Sequence, residues 1–178
     1  MKKVLVISTS LRGVSNSHAL AEAFAHGAQE AGHNVELLTL HDKEIRFCVG
    51  CLTCQKTGKC VFHDDVPEIM SKLHDADVVC FATPIYYYEM SGQMKTLLDR
   101  FNPLYGSDYR FTDVYLLTSA AEDMDDVPAR AVSGLQGWIE CFERARYAGG
   151  VFAGGVTAPG EINEHPSLVK AREMGRNA

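Results

Sequence analysis

Apolar and polar positions alternate along this chain in two periods. Lys3 to Ser8 is a continuous β-rich apolar run, the mark of a strand covered on both faces. From Ser17 the period lengthens. Leu20, Ala23, Phe24, Gly27, Ala28 and Ala31 follow helical spacing, and Gly32 is placed to end that helix in a left-handed cap. Val35 to Leu40 reads as a second strand, and His41 to Lys59 as irregular. A helix follows, with Asp65 and Glu68 as its cap pair, Pro67 in its first turn and Val66, Ile69, Met70 and Leu73 on its apolar face. Asp77 to Thr83 is a third buried strand, ended by Pro84. Ser91 caps a helix that turns Met94, Leu97, Leu98 and Phe101 inward. Asp113 to Ser119 is a fourth strand. The spacing of Val127, Ala131, Leu135, Trp138 and Phe142 predicts a helix from about Val127 to Tyr147. Gly150 to Val156 is a fifth strand and Pro166 to Met174 a last helix.

Five buried strands alternating with helices predict an α/β fold, a five-stranded parallel sheet with helices on both faces. No linker or repeat interrupts the 178 residues, so a single domain, 1–178, is expected. In such sheets ligands bind outside the carboxyl ends of the strands. The loops after Ser8, Leu40, Thr83, Ser119 and Val156 therefore carry the functional expectations.

Charge narrows the partners. Seventeen Lys and Arg against 23 Asp and Glu give a net charge of −6, the wrong sign for a non-specific nucleic-acid binder. No apolar run suits a membrane span, and the short stretch Val4 to Ile7 is no signal-peptide core, so a cytoplasmic protein is expected.

The loop after the first strand, Ser8 to Ser17, is rich in hydroxyls, carries Arg12 and Asn16, and opens a helix. Unpaired N–H groups at a helix start, hydroxyl donors and a guanidinium together suit a terminal phosphate. It has neither the glycine pattern of a dinucleotide fold nor the Gly-Lys-Ser/Thr ending of a nucleotide-triphosphate loop. It also lacks the acidic residues of a phosphoacceptor receiver. A polar loop with a serine cap remains the plain alternative. After the third strand come Tyr86, Tyr87 and Tyr88, three tyrosines that cannot all enter one core. They suit either a planar heteroaromatic ligand or a protein contact.

Six cysteines need explaining. Cys80 and Cys141 sit in apolar or helical stretches and are expected in the core. Cys48, Cys51, Cys54 and Cys60 have the spacing Cys-x2-Cys-x2-Cys-x5-Cys. Structural zinc favours two pairs across a longer loop, whereas three thiolates at three-residue steps and a fourth beyond suit an iron–sulfur cubane. Cluster, zinc and metal-free thiols stay open, and Lys56 and Lys59 lie close enough in sequence to favour thiolates. The seven histidines show no catalytic or zinc-site pattern.

Three segments together resemble the NADPH-dependent FMN reductase family, of flavodoxin-like fold. They are STSLRGVSNS after the first strand, ATPIYYYEMSGQMKTLLDR from Ala82 to Arg100, and CVGCLTCQKTGKC between strands two and three. The last is close to the motif of the iron–sulfur flavoproteins, where Cys48, Cys51, Cys54 and Cys60 would be ligands. The resemblance implies that Ser10, Arg12, Asn16 and Ser17 hold an FMN phosphate. Pro84, Ile85, Tyr86 and Tyr87 would border the isoalloxazine and ribityl chain, with Ser119 and Ala120 on the pyrimidine side. It also implies NAD(P)H as co-substrate, a small-molecule acceptor such as a flavin or quinone, and a homodimer or dimer of dimers. A non-enzymatic electron carrier for a protein partner is the alternative. Thr9 stands where the family often has glycine, which puts the backbone's approach to a phosphate in question.

Overall fold

The computed structural model describes residues 1–178. Its strands are β1 (Lys3–Ser8), β2 (Asn34–Thr39), β3 (Val78–Tyr86), β4 (Glu89–Met90), β5 (Asp113–Ser119) and β6 (Arg146–Ala153). Its helices are α1 (Asn16–Glu30), α2 (Thr53–Thr57), α3 (Val66–Asp75), α4 (Gly92–Arg100), α5 (Ala129–Ile139) and α6 (Pro166–Arg176), with a 3-10 turn at Asn102–Leu104. Five strands pair in parallel in the order β2-β1-β3-β5-β6. The short β4 pairs antiparallel with the end of β3. This is a flavodoxin-like fold. No helix is long and apolar enough to cross a membrane.

Strand alternation builds two cores. Leu5, Ile7, Val79, Phe81, Val114 and Leu116 face one side, against Ile69, Leu73, Met94, Leu97 and Leu135 of α3, α4 and α5. Val4, Val6, Val78, Cys80, Tyr115 and Leu117 face the other, against Leu20, Phe24 and Ala28 of α1 and Ala171 of α6. Both faces of the central strands β1, β3 and β5 are covered, which is why these three read as continuous apolar runs.

Several elements differ from the sequence reading. Ser15, one residue before α1, is the cap, its Oγ accepting from the His18 N–H. Gly32 is left-handed as expected, with φ +81°. Asp65 does not cap α3 with its side chain. Its Oδ2 accepts instead from the Glu44 N–H at 2.7 Å, and Asp64 Oδ1 takes the Val66 N–H at 3.2 Å. The helix predicted to run to Tyr147 stops at Ile139, and the last strand starts at Arg146 rather than Gly150. Phe142 lies in the intervening turn, yet packs 4.6 Å from the Trp138 ring, so its apolar spacing imitated further helix. Cys80 is fully buried, but Cys141 falls in that same turn and is exposed, which corrects its expected place in the core.

Candidate functional site

The carboxyl ends of β1, β3, β5 and β6 converge on one cleft of about 150 Å³. Ser10, Arg12, Ser15 and Asn16 line it from the first loop, and Pro84, Ile85 and Tyr86 from the end of β3. Ser119, Ala120 and Ala121 follow β5, and Val156 and Thr157 follow β6. Eight of the ten residues expected around a cofactor are thereby brought together. Ser17 stands behind the wall, fully buried, its Oγ 3.1 Å from that of Ser15. Tyr87 does not line the cleft. It is 97% exposed at the tip of the β3–β4 hairpin.

The sequence reading singled out the loops that hold Ser15, Ala121, Val156 and Thr157 but not these four residues themselves. Ser15 was available as the strongest cap candidate before α1. The others carry no chemical signature and join the cleft through topology alone.

Hydroxyl chemistry fixes the loops. Thr9 Oγ1 donates to the Ala82 carbonyl at 3.1 Å and lies 3.3 Å from Ser91 Oγ. Thr83 Oγ1 donates to Ser91 Oγ and accepts the Ser91 N–H, both at 3.1 Å. Ser91 Oγ in turn caps α4 through the Met94 N–H. Thr9 is fully buried in this network and turned away from the cleft wall, so the threonine ties the first loop to β3 and takes no room in the cleft.

The cleft presents donors. The fifteen-residue α1 has no acidic residue in its first turn, so no carboxylate of its own offsets its dipole and free N–H groups at the cleft. Arg12 Nη1 donates to the Thr157 carbonyl at 2.8 Å, and Asn16 Nδ2 to the Ala158 carbonyl at 3.0 Å. These bonds draw the segment after β6 over the first loop. Ser8 Oγ, at the base of that loop, is buried without a partner. The donor set fits a phosphate monoester at this end of the cleft.

A second, more apolar cavity of about 440 Å³ shares Tyr86 with the cleft. Leu11, Leu40, Lys43, Ile45, Phe47 and Gln93 help to line it. The loop after β2 thus reaches the same edge of the sheet, one residue before its first clustered cysteine.

Cys48, Cys51, Cys54 and Cys60 line a third, mostly apolar pocket with Phe62, Arg100, Asn102 and Pro103. The short helix α2 carries Cys54. Gly58, with φ +70°, ends α2 by donating its N–H to the Cys54 carbonyl at 2.8 Å, turning the chain back toward Cys60. The Thr53 hydroxyl and N–H hold the Cys51 thiol below its ordinary range. Asn102 Nδ2 donates to Cys54 Sγ at 3.2 Å. No three His, Cys, Asp or Glu side chains converge as a single metal ion would require. Four thiols around one apolar pocket, with the Asn102 N–H at its wall, are the donor set from which an iron–sulfur cluster would be held.

Comparison with known proteins gives likenesses of three kinds. The profile of the family described as NADPH-dependent FMN reductase matches residues 2–157. An iron–sulfur flavoprotein of Methanocaldococcus jannaschii is 39% identical over 102 residues, 57% of this chain and 53% of that one. Another, of Archaeoglobus fulgidus, is 36% identical over 101 residues, 57% of this chain and 46% of that one. The aligned segments span about half the length of these curated relatives. Among solved structures, an NAD(P)H:quinone oxidoreductase from Methanothermobacter marburgensis superposes with a TM-score of 0.73 at 20% identity, covering 99% of this chain and 98% of that one. This last likeness concerns the fold.

Proposed function

Because the chain belongs to the NADPH-dependent FMN reductase family, we propose that it holds FMN in the cleft and acts as an NAD(P)H oxidoreductase toward a small acceptor. The observation that carries this is the gathering of Ser10, Arg12, Asn16, Pro84, Ile85, Tyr86, Ser119 and Ala120 around one cleft at the start of α1. When bound, FMN supplies the hydride and electron transfer between pyridine nucleotide and acceptor.

The chain's own residues then have binding tasks. The α1 N-terminus, Ser10, Ser15 and Arg12 meet the phosphate dianion with N–H, O–H and guanidinium donors. Ser17 supports Ser15 from behind through their 3.1 Å hydroxyl contact. Pro84, Ile85 and Tyr86 give the heteroaromatic rings an apolar edge, and Ser119 and Ala120 face the pyrimidine side. The 150 Å³ cleft is smaller than the roughly 300–1,000 Å³ usual for a small-molecule site. Leu11, Tyr86 and Phe47, which line the adjoining cavity, would then border the part of a bound ring system that the cleft does not enclose. A second copy of the chain covering this apolar rim agrees with the homodimer expected from the sequence.

Chromatography of the cofactor released from purified protein tests the first step, and steady-state NAD(P)H oxidation with a quinone tests the second. FMN and turnover are expected. Recovery of FAD, or no flavin after reconstitution, refutes the assignment.

One observation favours a further component, an iron–sulfur cluster on Cys48, Cys51, Cys54 and Cys60. The four thiols line a single pocket, and the relatives named above are iron–sulfur flavoproteins. If steady-state turnover is absent while flavin and cluster are present, the protein is an electron carrier for a protein partner.

A further inference from the structure

Arg100 is the largest side chain fully buried in this protein. A guanidinium withdrawn from water needs every donor occupied. Its Nη1 and Nη2 reach Asp64 Oδ2 and Oδ1 at 2.6 and 2.9 Å, and Nη1 also donates to the Arg46 carbonyl at 2.6 Å. Asp64 returns the tie by accepting the Arg46 N–H at 2.9 Å. Arg46 and Asp64 bracket the cysteine loop, so this buried pair staples both ends of the loop to the end of α4. Phe62 packs between the two arginines, its ring centroid 4.4 Å from Arg46 Cζ and 5.0 Å from Arg100 Cζ.

The staple leaves one group over. Arg100 Nε is buried and has no partner. Arg100 and Cys60 both line the wall of the four-cysteine pocket. Two residues further along the chain, Asn102 already donates to Cys54 Sγ at 3.2 Å. One short segment, Arg100 to Asn102, therefore brings an N–H donor to one of the four sulfurs and leaves a second, unpartnered donor on a residue of the same wall. Neither residue lines the cleft assigned to FMN.

We infer that Asn102 and Arg100 are positioning residues of the cysteine site, whose N–H groups donate to the Cys54 and Cys60 thiolates and set the reduction potential of the cluster held there. The inference rests on the cluster reading of the four cysteines. Reduction adds negative charge to the cluster and its sulfurs. Donors aimed at those sulfurs stabilise the reduced form more than the oxidised one, which raises the potential. A merely structural role would change folding or iron content and leave the potential of retained cluster alone.

The test uses full-length protein, anaerobically reconstituted with iron and sulfide, as wild type and as Asn102→Leu, which keeps shape and removes the donor. Iron and acid-labile sulfide are assayed first, then cluster and flavin are titrated potentiometrically. The expected result is unchanged iron, an unchanged flavin potential, and a cluster about tenfold harder to reduce, or ~59 mV lower for a one-electron couple. Arg100 is tested with its partner, as Arg100→Gln with Asp64→Asn, because removing the arginine alone strands a buried carboxylate. The same direction of shift is expected at retained iron. An unchanged cluster potential at full iron content in Asn102→Leu overturns the inference and leaves the cluster reading standing. Loss of iron in Asn102→Leu alone also overturns it, by making the residue a structural requirement. Absence of iron and sulfide from the wild type overturns the cluster reading and the inference with it.

Discussion

Replacing Arg12 by Ala removes the only guanidinium lining the cleft, at the end proposed to take the FMN phosphate. In the structure its Nη1 is spent on the neutral Thr157 carbonyl at 2.8 Å. A phosphate dianion is the stronger acceptor, so under the proposed assignment the arginine would exchange one partner for a better one on FMN binding. Hydrogen bonds to charged groups contribute about 1.5–3 kcal/mol. Arg12 is exposed and screened by salt, and gives up its carbonyl bond on the exchange, which places the loss near the low end of that range. About 1.5 kcal/mol is a roughly tenfold weaker Kd for FMN.

Riboflavin is the internal control, since it carries the same rings and ribityl chain without the phosphate. Titration of apoprotein by quenching of flavin fluorescence should give a roughly tenfold loss for FMN in Arg12→Ala and about twofold or less for riboflavin. Raising the salt concentration should narrow the gap between wild type and variant for FMN alone. Equal losses for the two flavins would mean that Arg12 acts by holding the Thr157 segment rather than by meeting phosphate. That result would refute the phosphate assignment.

Other expectations concern the frame around the site. A Cβ on Gly27 would overlap the Arg172 carbonyl where α1 crosses α6; Gly27→Ala should cost about 2 kcal/mol despite its better helix propensity, lowering Tm by about 4–8 °C in a thermal melt. Arg172 and Arg176 hold Glu30 down to about 2 from an ordinary 4.5. This stabilisation is complete above the unfolded value and is lost as pH falls toward about 2, so urea midpoints should drop between about pH 5 and pH 3, with a shallower fall in Glu30→Gln. Tyr87 and Tyr88 both adopt positive φ, 51° and 65°; Tyr87→Gly should raise the stability of the apoprotein by about 1 kcal/mol, read as a higher denaturant midpoint, because the side chain is exposed and only strain is removed.

The sheet was legible because both of its faces are covered. Val4 to Ile7, Val78 to Ala82 and Val114 to Leu117 are apolar at every position and buried along their length. Element ends were less legible where tertiary contacts replaced local signals. Phe142 continues the helical spacing of α5 although it lies in a turn, because the aromatic cluster around Trp138 and Phe111 draws it in. The start of β6 was hidden for the opposite reason. Arg146 is a polar residue at a strand end, fixed by pairing with Asp113, whose carboxylate accepts from Arg146 Nε at 2.7 Å. In the cysteine loop the spacing revealed a metal-binding candidate, but not the Asp64–Arg100 staple beneath it. Those two residues lie 36 positions apart, and a buried guanidinium looks in sequence like any surface arginine on a helix.

The three tyrosines show how composition can identify a site while geometry reassigns its members. They cannot share a core, and the structure separates them. Tyr86 pairs with Glu89 to close a two-residue hairpin, leaving Tyr87 and Tyr88 as the turn. Both central residues of such a turn need positive φ, for which Asn-Gly is the low-energy choice. Two bulky aromatic residues there carry roughly 1–3 kcal/mol of strain each. Arg130 lies 5.8 Å from the Tyr88 ring, which anchors one of them to α5. Tyr87 has no such contact and is 97% exposed. Strain held at a fully exposed tyrosine, beside the wall that Tyr86 gives to two cavities, is not explained by the stability of the monomer. It is explained if Tyr87 is covered when the rim of the cleft is covered, by a second copy of the chain. The same Tyr87→Gly change that stabilises the isolated apoprotein should then weaken self-association in light scattering, and the two effects should have opposite signs.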